Sequence, residues 1–184
     1  MDKIIQMTFN RNKALNAVLH VAEKLKRKDF HKIFKILYFS DREHLVQYGR
    51  SITGDRYIAM ADGPVPSYLY DIFKSVRGDG YFKDNGEFST YFVVTDWNLI
   101  IPQKKADLNE LSATDVQLID EAIVCYGEMS WDEIREKSHD YAWRNTTANY
   151  PISYEHIIRE AGGDDDCIKY LTEQTILANL LNGN

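Results

Sequence analysis

The stretch YIAMADGPVPSYLY, residues 57–70, restricts this chain more than any other, because it sets three backbone requirements within fourteen positions. Tyr57 to Ala61 has the composition of a strand, and Asp62-Gly63 reads as a turn. Pro64 and Pro66 fix φ and remove two amide donors just ahead of Leu69, Ile72, Phe73 and Val76, which recur at helical spacing up to Gly78. Pro66 suits the first turn of that helix, where a missing N–H costs nothing. A strand, a stiff corner and a helix must therefore meet here. The corner either locks a sheet layer to a helix layer or presents a surface to a partner.

The pattern upstream is helical. Asn10 is placed to cap a helix running to about Arg27, with Ala14, Leu15, Val18, Val21, Ala22 and Leu25 on one face. A second helix runs from Asp29 to about Tyr48 and stops at Gly49, and its apolar KIFKILYF half marks it as central to the core. Asp41 breaks that stripe, four residues after Leu37 and four before Leu45. A carboxylate there needs a partner. The partner is a backbone N–H or a base such as Arg56; the functional alternative is a polar group at the rim of a partner-binding groove. His44, one turn on, reads as a rim residue.

Downstream, Ser51-Ile52 is expected to pair with Tyr57–Ala61 across Thr53-Gly54-Asp55. Tyr81 and Phe82 read as one arm of a hairpin that turns at Asn85-Gly86 into Phe88–Val94, and Thr95-Asp96 turns the chain again into Trp97–Ile101. Ser112 caps a helix over Ala113–Tyr126 with Val116, Ile119, Ile123 and Val124 inward. Ser130 and Glu133 form a capping box for a helix to about Lys137. Asp164, Asp165 and Asp166 start a final helix carrying Leu171, Ile176, Leu177, Leu180 and Leu181. No repeat or low-complexity linker interrupts the 184 residues. The expectation is one α+β domain over residues 1–184, mostly helical, with a small antiparallel β-sheet inserted in the middle.

Composition narrows the function classes. Hydrophobic residues at 44% supply a core, and the two cysteines, Cys125 and Cys167, are too few for a disulfide framework and read as small buried thiols. Polar residues break the first thirteen positions, so they do not read as a signal peptide, and no run approaches a membrane span; a soluble, cytoplasmic chain is expected. The net charge of −6 is unevenly spread: residues 1–35 hold nine Lys or Arg against three acids, and the remainder thirteen against twenty-five. The basic part centres on Lys24, Lys26, Arg27 and Lys28, with Lys32 beyond, a cluster able to meet phosphates or an acidic protein or to serve as a solvated connection.

No motif commits the chain to catalysis. It has no phosphate-binding GxxxxGK[ST], GxGxxG or GxSxG, and its five histidines form neither HExxH nor a zinc spacing. Ser138-His139-Asp140 is not a triad, because side chains at adjacent positions diverge. Asp164–Asp166 lacks the alternation and Gly of a calcium loop. No enzyme activity, metal or cofactor is expected.

The run KILYFSDREHLVQYGRSITGDRYIAMADGPVPSYLYDIF, residues 35–73, resembles the Panacea domain, a family of SocA-like, phage-associated antitoxins. The resemblance lies in Lys35–Asp41, Tyr48-Gly49-Arg50, Ile52–Asp55, Tyr57, the Gly63-Pro64-Val65-Pro66 corner and Tyr70. It continues in Leu111-Ser112 and in Ser138-His139-Asp140-Tyr141-Ala142-Trp143-Arg144. It implies an antitoxin that neutralises a cognate protein toxin, encoded by an adjacent gene, through direct protein–protein binding. It also marks Asp41, Arg42, Tyr57, Gly63, Pro64 and Pro66, with Tyr68, His139 and Trp143, as motif or partner-contact residues. Since the family pairs one fold with unrelated toxins, shared motif residues such as Asp41, Gly63, His139 and Trp143 are better suited to the scaffold. Contacts then fall to the basic first helix and turn, the strands of Tyr81–Ile101 or the last helix. Two other readings are a nucleic-acid-binding regulator using Lys24–Lys32 and an adaptor that delivers a partner to a protease. A small-molecule enzyme would need a deep pocket at Asp41, His44 and Tyr57.

Overall fold

The computed structural model describes residues 5–181. Helix α1 (Arg11–Lys24) is capped by the Asn10 side chain, and α2 (Phe30–Tyr48) by Asp29 at one end and left-handed Gly49 at the other. An antiparallel pair follows, β1 (Tyr57–Met60) and β2 (Gly63–Pro66), leading directly into α3 (Ser67–Arg77). A second pair, β3 (Phe92–Thr95) and β4 (Leu99–Pro102), precedes α4 (Ala113–Tyr126) and α5 (Trp131–Ser138), each opened by a Ser capping box. The short helices α6 (Tyr141–Arg144) and α7 (Tyr154–Glu160) and the longer α8 (Asp165–Leu181) complete the described residues. The architecture is α+β and mostly helical, with two two-stranded sheets among the described residues rather than one.

Helix α2 lies at the centre and packs against α1, α4, α5, α7 and β2. From Lys32 to Asp41 every residue is buried, polar ones included, as expected for a helix surrounded on all sides. Strand β1 is covered on its second edge by the chain around Pro151, where Ala59 N donates to Tyr150 O at 3.0 Å and Ile152 N to Tyr57 O at 2.8 Å. No helix of the described residues is long and apolar enough to cross a membrane.

Several elements depart from the sequence expectation. Ser51-Ile52 forms no strand, because the Ile52 amide is taken by the Asp41 carboxylate and β1 pairs with the GPVP segment instead. Pro64 and Pro66 sit inside β2, at the edge of its sheet, where an absent donor is tolerated; Pro66 precedes α3 and does not enter it. The Asn85-Gly86 hairpin is absent: the Asp84 carboxylate accepts from Phe88 N and Ser89 N, both at 3.0 Å, and this local side-chain alternative displaces a ladder. The turn at Thr95-Asp96 does form, joining β3 to β4. On α4 the buried face is Leu118, Ile119 and Ala122, so Val124 is 83% exposed and Cys125 exposed, since a step of about 100° per residue carries both away from it. Cys167 is half-buried. On α8 Leu171 is buried, but Ile176, Leu177, Leu180 and Leu181 face solvent.

Candidate functional site

Burial of the two inner residues of the second-helix motif builds the first half of the site. Asp41, 1% exposed, accepts from Ile52 N at 2.5 Å, Thr53 N at 3.1 Å, Thr53 Oγ1 at 2.7 Å and the Tyr57 hydroxyl at 2.7 Å. Arg56 is not among these partners. Loss of water raises the Asp41 carboxyl above its ordinary range, opposed by those hydrogen bonds, and pushes the Tyr57 phenol well up. Next to it Asp55 accepts from Tyr68 N and Leu69 N, both at 2.9 Å, and so satisfies the first amides of α3. Burial raises Asp55 to about 7.

The second half is the β1–β2 turn, whose carbonyl oxygens are gripped from outside one by one. Trp143 Nε1 donates to Met60 O at 2.9 Å, Arg135 to Ala61 O at 3.4 Å, His31 Nε2 to Asp62 O at 3.1 Å and Lys35 Nζ to Pro64 O at 2.8 Å. The donors come from α6, α5 and α2. Lys35 is wholly buried with no ion pair among the described residues, and desolvation lowers its ammonium to about 7. Gly63 has φ +96°, and a Cβ there would collide with Ser138 Oγ and press on the Lys35 ammonium. The GPVP corner is a place where strand, α2 and α5 touch backbone to side chain.

The remaining motif residues brace this arrangement. His139 stacks flat on Trp143, with ring centroids 3.8 Å apart and planes at 5°. Asp140 caps α6 through Trp143 N at 3.0 Å and accepts from the Tyr38 hydroxyl at 2.8 Å and Arg42 at 3.4 Å. Arg42 also reaches Glu43 at 3.2 Å and Glu160 at 3.5 Å, and lies over Phe39. Tyr68, 44% exposed, stacks on Phe9 with Arg56 above its ring. The structure thus gathers Asp41 with Tyr57, and Gly63 and Pro64 with Trp143 and His139, into one buried corner. It leaves Tyr68 at the surface.

Another buried carboxylate, Asp115, was not singled out by the sequence. It meets Lys13 at 2.6 Å, Arg50 at 2.9 Å and His44 at 3.1 Å and accepts from Ser112 N at 2.8 Å, which together hold its carboxyl well below the usual range. His44 is therefore not a rim residue: it is 0% exposed and also meets Arg50 O at 2.9 Å. Arg135 and Asp115 are not foreseen from the sequence, and Lys35 and Asp55 stand there only as members of the motif blocks Lys35–Asp41 and Ile52–Asp55. Lys35 carried a signal, a lysine inside KIFKILYF, of the same kind as Asp41.

Four of the five members of the basic cluster are engaged within the chain; Lys28 forms no ion pair among the described residues. Lys24 pairs with Asp120 at 2.6 Å, Lys26 with Glu128 at 3.0 Å and Arg27 with Asp29 at 3.2 Å. Lys32 is buried and donates to Gly127 O at 3.0 Å and Met129 O at 2.6 Å.

A family model described as antitoxin SocA-like, Panacea domain, matches residues 33–144, more than half of the chain. The chain belongs to the Panacea-domain family of SocA-like antitoxins. The match runs from the first turn of α2 through α6, so it encloses Asp41, the GPVP corner and three of the four side chains that grip it, Lys35, Arg135 and Trp143, while His31 lies just ahead of it. Helices α1, α7 and α8 lie outside the matched Panacea span. Comparison with curated proteins and with solved structures returns no match.

Proposed function

We propose that this chain neutralises a cognate protein toxin, encoded by an adjacent gene, by binding it directly and without catalysing a reaction. The observation that carries the reading is the family match over α2–α6. The geometry favours a scaffold role for the motif: Asp41, Tyr57, Gly63 and Pro64 are buried, and their polar atoms are satisfied inside the chain. A group consumed in this way has no donor or acceptor left for a substrate or a partner. Binding then belongs to surface outside the corner, which lets one scaffold serve different partners. The nucleic-acid reading loses support from the carboxylates that already neutralise Lys24, Lys26 and Arg27.

The test is growth of a bacterial host in which the neighbouring reading frame is induced with and without this chain. Arrest by the neighbour alone, relieved by this chain and accompanied by co-purification of the two, supports the reading. Toxicity that persists beside well-expressed chain overturns it. Relief with disappearance of the neighbour's product would instead make the chain an adaptor for a protease.

A further inference from the structure

The β3–β4 hairpin has two faces of opposite character. Phe92 and Ile100 point into the core, at 0% and 2% exposure, so the alternate positions Val93, Leu99 and Ile101 lie on the outer face. Ile101 is 48% exposed, and at the tip Trp97 is 66% exposed. An apolar strip with an aromatic anchor is thus left open to water.

The tip is held rigid in a conformation that its residues disfavour. Asp96 and Trp97 have φ of +46° and +67° in the three-residue loop between the paired Thr95 and Leu99, a backbone region where glycine is the comfortable choice. Arg77 supports the strained tryptophan: its guanidinium lies 4.2 Å from the indole centroid and donates to Trp97 O at 3.0 Å. Asp79 in turn clamps Arg77 through two bonds of 2.7 and 2.8 Å. A turn shaped only for stability would carry glycine at position 97 and would not expose an indole. Rigid, exposed Trp is the residue type that dominates binding energy at protein interfaces.

The distribution of charge indicates what kind of surface fits. The chain is acidic overall, and its lysines at Lys24 and Lys26 are paired. The base of the hairpin is basic, while the exposed Asp96 carboxylate stands beside Trp97 at the tip. Lys104 and Lys105 leave β4 exposed, Lys28 lies beside it through the Ile100 N to Lys28 O bond of 2.9 Å, and none of the three forms an ion pair among the described residues. Lys104 is held 3.3 Å from the Tyr91 centroid.

We propose that the outer face of the β3–β4 hairpin is the surface that takes the toxin, with Trp97 as its anchor, and that the toxin offers there an apolar pocket bordered by carboxylates. The inference rests on the antitoxin reading and adds where, and by what chemistry, the partner is held. A protein partner fits better than nucleic acid, because an apolar strip contributes nothing to phosphate contact.

The experiment measures affinity of the purified chain for the neighbouring gene's product, with wild type, Trp97→Gly, the charge reversal K104E/K105E, and Val124→Ser on the far side of α4 as control. Trp97→Gly relieves the positive φ, so its melting temperature should stay within about 3 °C of wild type, while affinity falls about thirty-fold. K104E/K105E should slow association about ten-fold at low salt. Val124→Ser should bind as wild type. Affinity of Trp97→Gly within about two-fold of wild type, or equal loss in Val124→Ser, overturns the hairpin as the docking face while the antitoxin reading stands. Wild type that fails to bind the product overturns both. Salt-sensitive binding to a DNA duplex that the hairpin variants abolish would reassign the surface to nucleic acid.

Discussion

Asp41 and Asp115 are both removed from water, at 1% and 0% exposure, yet their surroundings answer the same electrostatic problem in opposite ways. Around Asp41 the negative charge meets only neutral dipoles, two amides and two hydroxyls. The same holds for Asp55, which meets two α3 amides, and for Lys35, whose ammonium meets a carbonyl. Around Asp115 the charge meets Lys13, Arg50 and His44. The first arrangement leaves desolvation as the larger influence and raises the two carboxyls; the second overcomes desolvation and depresses the carboxyl. Dipoles fixed by backbone demand one geometry, so the first region specifies the corner. Side-chain partners tolerate more movement than backbone dipoles, so the second mainly ties α1 and α2 to α4.

The largest expected effect is at Asp41. Asp41→Ala leaves four buried donors without an acceptor and should cost about 4 kcal/mol in urea denaturation. A loss near 1 kcal/mol would show that the dipole cage closes without its carboxylate. Asp115→Asn comes next, at about 3 kcal/mol near neutral pH, and its deficit should shrink as pH falls below 3.8. A group depressed in the folded state stabilises above its ordinary pKa of 3.8 and loses that contribution as pH falls below it.

Asp55 reverses the sign. Its folded value of about 7 lies above the unfolded 3.8, so the folded state holds the extra proton and stability declines as pH rises from about 4 to 7. His31, lowered from 6.5 to about 4 by burial, acts in the opposite direction over most of that span, from about 4 to 6.5. Asp55→Asn should therefore flatten the decline, leaving the part that the raised Asp41 carboxyl contributes against the His31 rise. Parallel pH curves for Asp55→Asn and Asp115→Asn would break the contrast between the two regions.

Gly63→Ala should cost about 2 kcal/mol, because alanine resists a positive φ and its Cβ meets Ser138 and Lys35. Adding Ser138→Ala should recover part of that loss if the collision matters, and none if φ alone decides. The smallest effect is Tyr57→Phe, about 1 kcal/mol for one of the two hydroxyl donors to Asp41. A measured value equal to that of Asp41→Ala would mean that the phenol organises the whole cage.

Local chemistry was legible wherever the deciding partner lay a few residues away. Asn10, Ser112 and Ser130 cap the helices expected of them, and Gly49 ends α2. The family signature also lies in contiguous blocks, so both the α+β class and the family could be read from the chain. The strand pairing could not. Ser51-Ile52 looked like a strand partner for Tyr57–Ala61, but the Ile52 amide is claimed by a carboxylate on another element. Asn85-Gly86 looked like the hairpin, but Asp84 captured the amides that a ladder needs.

Sequence alone determined that Asp41 must find a buried partner, because a carboxylate on an apolar helical face has no other stable state, and that residues 57–70 must join a strand to a helix. Only tertiary structure decided who the partners are. It set Trp143, Arg135, His31 and Lys35 on the carbonyls of Met60, Ala61, Asp62 and Pro64, and Lys13 and Arg50 on Asp115. Those residues are separated by tens of positions in the chain, and hydrogen bonds and ion pairs depend on distances of about 3 Å that spacing along a sequence does not encode.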